Sequence, residues 1–448
     1  ENPGREKLQG VFVMSENSYQ FDTLKIRAGY NPEEHNHAVS VPIYQTAAFD
    51  FGTEPRAERL FTYQEAGFLY SRVGNPTVDV LEKRIAALDG GSGAIAFASG
   101  MAAITNTLFN VAEGGGRILT SPFLYGGTVD SFKKIFPKFG IAIDWSDNFS
   151  EPEKLEKEIR SDTKAIYVES ISNPNAEVAD ISALADVAHR HGIPLIVDNT
   201  FATPYLLNPI AFGADIVLYS ATKNLSGHGN VIAGLVLESG KFNWRNGKFP
   251  QFTEKYYTLR DTSGKERSFP DVFPEFPFTA RLRAVYLNFL GAALSPFSAY
   301  LVLLGLETLS ERVQKQVANT EKIIGFLKGN EHVSWIKYPP LNGERGKKLT
   351  ARYLPKGAGT IFSFGLKGGE SQINTFLESL KLFNFHVNVG DAKSLIVNSP
   401  KTTHSELTPQ EKIRAKIPPE TIRVSVGLED PNDLIADLKQ ALSKAFAS

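Results

Sequence analysis

The sequence predicts an α/β fold: a large domain built on a mostly parallel sheet, followed by a smaller α+β domain at the C-terminus. Three observations support this prediction. The chain has 448 residues, which exceeds the size of one ordinary core. From about residue 76, short apolar segments alternate with amphipathic helical segments. Beyond a long helical segment that begins at Leu301, helices and strands are mixed without that alternation.

The large domain contains the elements that a parallel sheet with helices on both faces requires. Its predicted strands are the short apolar segments 94–97, 164–168, 193–197 and 215–219. One helix begins at Gly100. A second covers 181–191, with Asp180 as its N-cap and Gly192 as the residue that ends it.

The C-terminal part predicts an α+β arrangement. A helix extends from Leu301 to about Lys328, and further strands and helices follow it. The strands are predicted at 360–366, 386–389 and 421–426, and the helices at 371–382 and 433–446. We therefore divide the chain into an N-terminal arm (1–76), a large domain (77–305) and a C-terminal domain (306–448).

Two segments stand outside this pattern. Met14 is a natural first residue, so residues 1–13 are a candidate for a non-native extension and are left out of the fold prediction. Residues 240–278 carry many aromatic rings among charges and prolines, with no clean period. A loop this long in a compact domain is often functional. The alternative is a surface excursion buried against another subunit.

The composition excludes several classes of function. The net charge is −1 and the pI is about 6.8, so no field of one sign indicates a nucleic acid or an anionic membrane as partner. The chain has no cysteine, which excludes disulfides, thiolate zinc sites and a cysteine nucleophile. The eight histidines lack metal-ligand spacing. No apolar run reaches the roughly 20 residues of a membrane span, and we expect a cytoplasmic protein.

A lysine and an aspartate end consecutive predicted strands. Lys223 follows the 215–219 strand and is flanked by the hydroxyls of Ser220 and Thr222, which could bind a phosphate. Asp198 ends the 193–197 strand. Because the carboxyl ends of parallel strands face the ligand crevice, we expect the two side chains to lie close together. Taken singly, Lys223 could instead be a solvated surface lysine, and Asp198 a turn residue.

Two further positions are candidates for binding anions. Gly100 and Met101 open a helix directly after a strand, where bare amide N–H groups and the helix dipole attract negative charge. Arg423 lies on the 421–426 strand and could bind a carboxylate with two parallel hydrogen bonds. An ordinary strand–helix turn and a solvent-facing arginine are the alternatives. No segment matches the full dinucleotide-binding fingerprint, which argues against a nicotinamide-dependent dehydrogenase.

Taken together, these segments resemble the Cys/Met-metabolism family of enzymes that depend on pyridoxal 5'-phosphate (PLP). The resemblance begins at about Phe21 and covers nearly the whole chain, in the order of the family's motifs. The matching segments are Pro42–Thr46, Tyr70–Arg72 with Asn75–Pro76, Ser99–Met101, Tyr125–Gly127, Glu169 with Asn173–Pro174, Val197–Thr200, Ser220–Lys223, Ser394–Leu395 with Thr403–His404, and Ile422–Gly427. Each motif alone is weak, but nine in order are specific. The resemblance implies the aspartate-aminotransferase-like fold of PLP enzymes (fold type I).

Within the family, the chain is most similar to the O-acetylhomoserine sulfhydrylases. The segments that carry this similarity are Gly229–Gly234, Ser239–Trp244, Lys248–Thr253, Leu294–Phe297 and Leu304–Leu309. Two segments depart from the usual pattern. Asn398–Lys401 stands where the family has His-Pro-Ala-Ser, and Asn224–His228 is not the commonest version of the segment after the lysine.

The resemblance implies a role for each matching residue. Lys223 holds PLP covalently and then moves protons, so it is catalytic. Tyr125 stacks on the ring and helps to activate the substrate amine. The other implied ligands are Asp198 for the pyridine nitrogen, Asn173 for the ring hydroxyl, Gly100, Met101, Ser220 and Thr222 for the phosphate, Tyr70 and Arg72 for the phosphate of a neighbouring subunit, and Arg423 and Ser394 for the substrate carboxylate. No metal is implied.

The implied reaction is γ-replacement, in which O-acetylhomoserine and sulfide give homocysteine and acetate. The alternatives within the family are a cystathionine γ-synthase and a cystathionine or methionine γ-lyase. A PLP-less binding protein is the alternative outside enzymes. Because Tyr70 and Arg72 are expected to serve a neighbouring subunit, we expect a homo-oligomer, at least a dimer and in this family a tetramer. The remaining partners are a small amino-acid substrate and sulfide.

Overall fold

The computed structural model describes residues 19–447, so the prediction about residues 1–13 lies outside the described residues. A seven-stranded sheet contains β1 (Gly93–Phe97), β2 (Gly116–Thr120), β3 (Ile141–Trp145), β4 (Thr163–Glu169), β5 (Leu195–Asp198), β6 (Ile216–Ser220) and β7 (Gly234–Glu238). A hairpin is formed by β8 (Tyr256–Arg260) and β9 (Glu266–Arg267). A four-stranded sheet contains β10 (Val333–Lys337), β11 (Ile361–Leu366), β12 (Leu395–Asn398) and β13 (Thr421–Ser425).

The helices are distributed over both halves of the chain. Up to the end of the large sheet they are α1 (Phe21–Arg27), α2 (Glu54–Phe61), α3 (Pro76–Asp89), α4 (Gly100–Val111), α5 (Gly126–Lys134), α6 (Pro152–Glu156), α7 (Ile181–Arg190) and α8 (Thr203–Leu206). Beyond it they are α9 (Pro250–Thr253), α10 (Phe269–Val272), α11 (Pro277–Arg281), α12 (Asn288–Leu290), α13 (Pro296–Leu306), α14 (Leu309–Lys328), α15 (Gly343–Tyr353), α16 (Glu370–Ser379), α17 (Pro409–Arg414) and α18 (Pro431–Ala445). A π-helical turn (Leu282–Leu287) joins α11 to α12.

The large sheet has the strand order β1-β7-β6-β5-β4-β2-β3. Strands β2 to β6 are paired in parallel, and β7 runs antiparallel to both of its neighbours, β6 and β1. The prediction of a mostly parallel sheet is therefore confirmed. Parallel pairing places the ends of β4, β5 and β6 at one edge, and the residues that follow these strands meet there.

Each face of the large sheet is covered by its own hydrophobic core. Alternate residues of β4 point to opposite faces: Ile166 and Val168 belong to one core, and Ala165 and Tyr167 to the other. Both cores consist of buried apolar side chains, which explains why the strands of this sheet are apolar on both faces rather than alternating with polar residues.

The C-terminal sheet is antiparallel and has the order β10-β11-β13-β12. Ile422 and Val424 of its β13 are buried in a third core, together with apolar residues of α14, α16 and α18. Arg423 lies between these two residues and therefore points to the opposite face. The two separate sheets agree with a large and a small domain, and the domain boundaries given above remain predictions.

The strand predicted at 386–389 is wrong. Phe385 and Val387 are exposed, and residues 386–389 belong to neither sheet. The strand of this region is β12, at Leu395–Asn398, which pairs with β13. The alternating apolar residues of 386–389 resemble a strand, but this segment lines a cavity and has no neighbouring strand with which to pair.

The long helix predicted from Leu301 to about Lys328 is interrupted between α13 and α14. The guanidinium of Arg312 donates to the carbonyl of Gly305 (2.6 Å) and to that of Asn224 (2.9 Å). A side chain that inserts into the i→i−4 ladder in this way ends regular helix. The helix break is therefore produced by a contact with the segment that follows Lys223.

Asp180 precedes α7 as predicted, but its carboxylate does not cap the helix. It accepts a hydrogen bond from the Tyr353 hydroxyl (2.5 Å), and the backbone N–H of Ser182 donates to that same hydroxyl (3.1 Å). A side chain distant in sequence thus provides the hydrogen-bond acceptor for a backbone N–H in the first turn of α7. Local sequence signals cannot reveal such a contact.

The aromatic segment 240–278 packs largely against its own chain. Trp244, Phe252 and Phe278 stack on one another, with ring centroids 4.3 to 6.0 Å apart, inside the core that also contains Tyr167. The prediction that places these rings against another subunit is therefore wrong for them. Tyr257 of the β8–β9 hairpin remains exposed.

Candidate active site

A cavity of about 260 Å³ opens at the carboxyl ends of the large-sheet strands and is closed on its other side by the small sheet. Its lining residues are Ser99, Gly100, Met101, Ile104, Tyr125, Glu169, Ile171, Asn173, Asp198, Thr200, Phe201, Ser220, Thr222, Lys223, Ile232, Val387, Asn388, Val389, Thr403 and Arg423. The basic residues of the cavity are Lys223 and Arg423, and its acidic residues are Glu169 and Asp198. The site therefore combines an amine, two carboxyl groups and a guanidinium in one enclosed space.

Lys223 lies mostly buried on the turn after β6. Its Nζ donates to Oδ1 of Asn388 at 2.9 Å. Burial, together with the positive charge of Arg423, lowers the pKa of Lys223 from 10.5 to about 8. A substantial fraction of this lysine is therefore the free amine near neutral pH, which is the form that attacks a carbonyl.

Asp198 ends β5 beside the turn that carries Lys223, as the strand order predicts. Its Oδ1 accepts hydrogen bonds from the hydroxyl of Thr200 (2.6 Å) and from the Thr200 backbone N–H (3.0 Å). The Tyr167 hydroxyl donates to Oδ2 at 3.4 Å. Burial raises the pKa of Asp198, and the bonds from Thr200 lower it. A cationic N–H placed at this carboxylate would favour its ionised form.

The start of α4 forms an anion cradle next to Ser220. The Ser99 hydroxyl caps the N–H of Ala102 (3.1 Å), and this leaves the first-turn N–H groups of Gly100 and Met101 without an acceptor in the helix. A Cβ atom on Gly100 would lie 2.8 Å from Cβ of Ser220, so only glycine allows this approach. The Thr222 hydroxyl lines the same region and is tied to the backbone of Ala233.

Arg423 reaches the cavity from β13 and is only 2% exposed. Its NH1 donates to Oδ1 of Asn173 at 3.3 Å, and its NH2 donates to the carbonyl of Asn388 at 3.1 Å. Its Nε is buried without a hydrogen-bond partner. Burial lowers the pKa of Arg423 to about 10. A buried guanidinium with an unsatisfied N–H and no carboxylate partner is suited to bind an anionic ligand.

Tyr125 stands at the mouth of the cavity, with 42% of its surface exposed. It immediately precedes α5, and its backbone N–H donates to Oε1 of Glu169 at 2.6 Å. A Cβ atom on Gly127 would lie 2.7 Å from the Tyr125 ring, so the glycine lets the ring fold back over the start of α5.

Three predicted site residues lie outside the cavity of the single chain. Ser394 is fully buried, and its hydroxyl donates to Glu429 (2.9 Å) and accepts from the Gly427 N–H (2.8 Å), so it does not reach a ligand in this cavity. Tyr70 is exposed, and the guanidinium of Arg72 lies 5.1 Å from its ring. Neither Tyr70 nor Arg72 contributes to the cavity wall.

Sequence reasoning missed two polar groups of the site and left a third without a role. Asn388 contacts both Lys223 and Arg423, and Thr200 orients Asp198. Glu169 lies within a matching motif, but its function does not follow from the motif. Polar and apolar residues alternate in His386–Val389, so an extended segment would place Asn388 on the opposite side from Val387 and Val389. This alternation was the available signal that Asn388 faces a different environment. Within residues 19–447, no group of acidic or histidine side chains has the arrangement of a metal site, and no helix is long and apolar enough to cross a membrane.

Comparison with known proteins decides the family. The model of the Cys/Met metabolism PLP-dependent enzymes matches residues 22–443. The chain belongs to this family. It is 41% identical to the O-acetyl-L-homoserine sulfhydrylase of Leptospira meyeri, over 95% of this chain and 97% of that one. It is 42% identical to the homocysteine synthase of Schizosaccharomyces pombe, over 96% of this chain and 99% of that one.

Solved structures place the fold in the same family. A Campylobacter jejuni protein assigned as an O-acetylhomoserine (thiol)-lyase superimposes with a TM-score of 0.89 at 37% identity, covering 95% of this chain and all (100%) of that one. That structure contains N'-pyridoxyl-lysine-5'-monophosphate. The cystathionine γ-synthase of Xanthomonas oryzae superimposes with a TM-score of 0.81 at 29% identity, covering 96% of this chain. The expected PLP-enzyme fold of type I is thus confirmed, and PLP is the cofactor of the family.

Proposed function

We propose that this chain is an O-acetylhomoserine sulfhydrylase, which converts O-acetylhomoserine and sulfide into homocysteine and acetate. The observation that carries the proposal is the joint placement of Lys223, Asp198 and Arg423 in one cavity. The identity of 41% to the O-acetyl-L-homoserine sulfhydrylase of Leptospira meyeri, over 95% of this chain, supports this choice within the family.

The residues of the cavity fit PLP. The bare N–H groups of Gly100 and Met101, with the hydroxyls of Ser220 and Thr222, suit a phosphate dianion. Asp198 suits the protonated pyridine nitrogen, and Asn173 the ring hydroxyl. The free amine of Lys223 suits covalent attachment. When bound, PLP withdraws electrons from the substrate's α-carbon and thereby makes its proton acidic.

The side chains divide the remaining work among them. Arg423 binds the substrate carboxylate, and the carbonyl of Asn388 holds its guanidinium in place. Lys223 moves protons at the α-carbon and then at the β-carbon, because its lowered pKa suits both directions of transfer near neutral pH. Acetate leaves from the γ-carbon, sulfide adds there, and the two protons return. Tyr125 covers the mouth of the site and restricts the access of water.

We propose that the working enzyme is at least a dimer, and in this family a tetramer. Arg72 lies beside Gly291: its Cδ is 3.9 Å from the position that a Cβ atom added to this glycine would occupy. Phe289 and Leu290, which directly precede Gly291, are exposed, as is Phe297 at the start of α13. An apolar patch beside Tyr70 and Arg72 supports an interface through which these two residues reach a neighbouring site.

The experiment that tests the proposal is a substrate panel. The purified protein is supplied with O-acetylhomoserine and sulfide, and homocysteine and acetate are measured. O-succinylhomoserine and O-acetylserine are then offered with sulfide, and cystathionine or methionine alone. We expect the first pair to react fastest and Lys223→Ala to abolish the reaction. Faster consumption of cystathionine or methionine would identify a lyase instead. A protein without an absorption band that borohydride removes would not be a PLP enzyme.

We place the activity in the cytoplasm, which agrees with a chain free of cysteine.

A further inference from the structure

Glu169 is a half-buried carboxyl group in the cavity wall that the proposed reaction leaves without a task. It ends β4, and its Cα is paired in the parallel ladder with that of Asp198 on β5. The side chain lines the candidate active site and also a second cavity of about 330 Å³ on its other side. Glu169 therefore forms part of the wall directly behind the residues that contact the PLP ring.

Both oxygens of this carboxyl group accept backbone hydrogen bonds. Oε1 accepts from the N–H of Tyr125 at 2.6 Å, and Oε2 accepts from the N–H of Asn173 at 3.2 Å. Tyr125 opens α5 and Asn173 lies in the loop after β4, so one side chain joins two separate segments. Asn173 in turn accepts from Arg423 at 3.3 Å. The connection thus extends from the ring-stacking residue to the carboxylate-binding residue.

The local electrostatics disfavour a carboxylate at this place. Burial and the neighbouring Asp198 raise the pKa of Glu169 well above its ordinary value, and the bonds from Tyr125 and Asn173 lower it. Two adjacent acids whose charged forms are disfavoured destabilise a fold. Their presence in this wall therefore indicates that they perform a task there. The hydrogen bonds to Tyr125 and Asn173 indicate what this task is.

We propose that Glu169 is a positioning residue for the cofactor: by accepting the N–H groups of Tyr125 and Asn173 together, it fixes the stacking ring and the ring-hydroxyl amide relative to Asp198. Without it, the N–H groups of Tyr125 and Asn173 lose their acceptor, and the two segments are free to shift independently. This inference rests on the proposed use of PLP. It adds a residue that acts through Tyr125 and Asn173, by setting the geometry of both.

The test compares three variants with the wild-type enzyme. Glu169→Ala removes both acceptors. Glu169→Gln keeps the shape and one acceptor oxygen, and it guards against a simple failure to fold. Glu177→Gln is the matched control: it removes a carboxylate from the wall of the same second cavity, where Glu177 pairs with Lys416 at 3.0 Å. The measurements are the dissociation constant of PLP from apo-enzyme titrations and the visible circular dichroism of the cofactor at saturation.

We expect Glu169→Ala to weaken PLP binding about tenfold, because the hydrogen bonds that hold Tyr125 and Asn173 are both lost, and Glu169→Gln to weaken it less. The circular dichroism of bound PLP should fall in the same order even at saturation, since it reports the asymmetric placement of the ring. Glu177→Gln should match the wild type in both measurements. Wild-type dichroism and affinity in both Glu169 variants would refute the positioning role while leaving the proposed function intact. A wild-type protein that binds no PLP would overturn both.

Discussion

Replacing Arg423 by lysine tests the substrate-binding part of the site. The guanidinium donates to the Asn173 side chain and to the Asn388 carbonyl, and it lines the cavity without a carboxylate partner among residues 19–447. Lysine retains the charge but offers a single point of contact in place of a planar fork. It cannot keep both protein contacts and also bind a carboxylate with two parallel hydrogen bonds.

The expected magnitude follows from this geometry. Loss of one charge-assisted hydrogen bond to the substrate costs about 1.5 to 3 kcal/mol, which corresponds to about 10- to 100-fold in binding. Because the carboxylate keeps its charge throughout the reaction, this interaction contributes to substrate and transition state alike. We therefore expect Arg423→Lys to raise KM for O-acetylhomoserine by that factor and to change kcat little.

The assay is steady-state kinetics with O-acetylhomoserine varied at saturating sulfide. A suitable control is Arg281→Lys, since Arg281 is also buried but contacts Gln251, Asn110 and Glu113 far from the cavity. This control should lower Tm without changing KM. If Arg423→Lys has the wild-type KM and kcat, the substrate carboxylate is bound elsewhere.

Three further outcomes are expected. Apo-enzyme should recover PLP at a rate that rises with pH around a midpoint near 8, because only the free amine of Lys223 reacts; a midpoint near 10.5 would contradict the burial argument. Inactive Lys223→Ala and Arg72→Ala chains, refolded together, should regain about a quarter of wild-type sites if Arg72 serves the partner, and no gain despite verified subunit exchange would refute this. Burial raises the pKa of Asp89 from 3.8 to about 7, so the stability it contributes is complete below about pH 3.8 and is lost as pH rises through about 7. Asp89→Asn should therefore flatten the decline of Tm between about pH 4 and about pH 7 in a thermal melt, and an unchanged slope would assign that decline to other groups.

Much of the fold and part of the site could be predicted from sequence. Local patterns mark Asp198, Lys223 and Arg423 as candidates, because strand ends and the period of two within a strand are properties of the chain itself, and the family resemblance implies their roles. Ser394 remains a predicted substrate ligand: the matching motif fixes its position along the chain but not the direction of its side chain, which here bonds to Glu429 and Gly427. Asn388 was missed because the segment that carries it resembles a strand and is not one.

The sequence by itself determined the alternation of strands and helices in the large domain, the mostly parallel sheet and the family. These follow from apolar periodicity and from motifs that are contiguous in the chain. The tertiary structure alone decided which polar groups meet. Arg312 ends a helix by bonding to the carbonyls of Asn224 and Gly305, and Glu169 joins Tyr125 to Asn173. Such contacts bring together groups far apart in sequence, and their strength depends on burial, which no local pattern encodes.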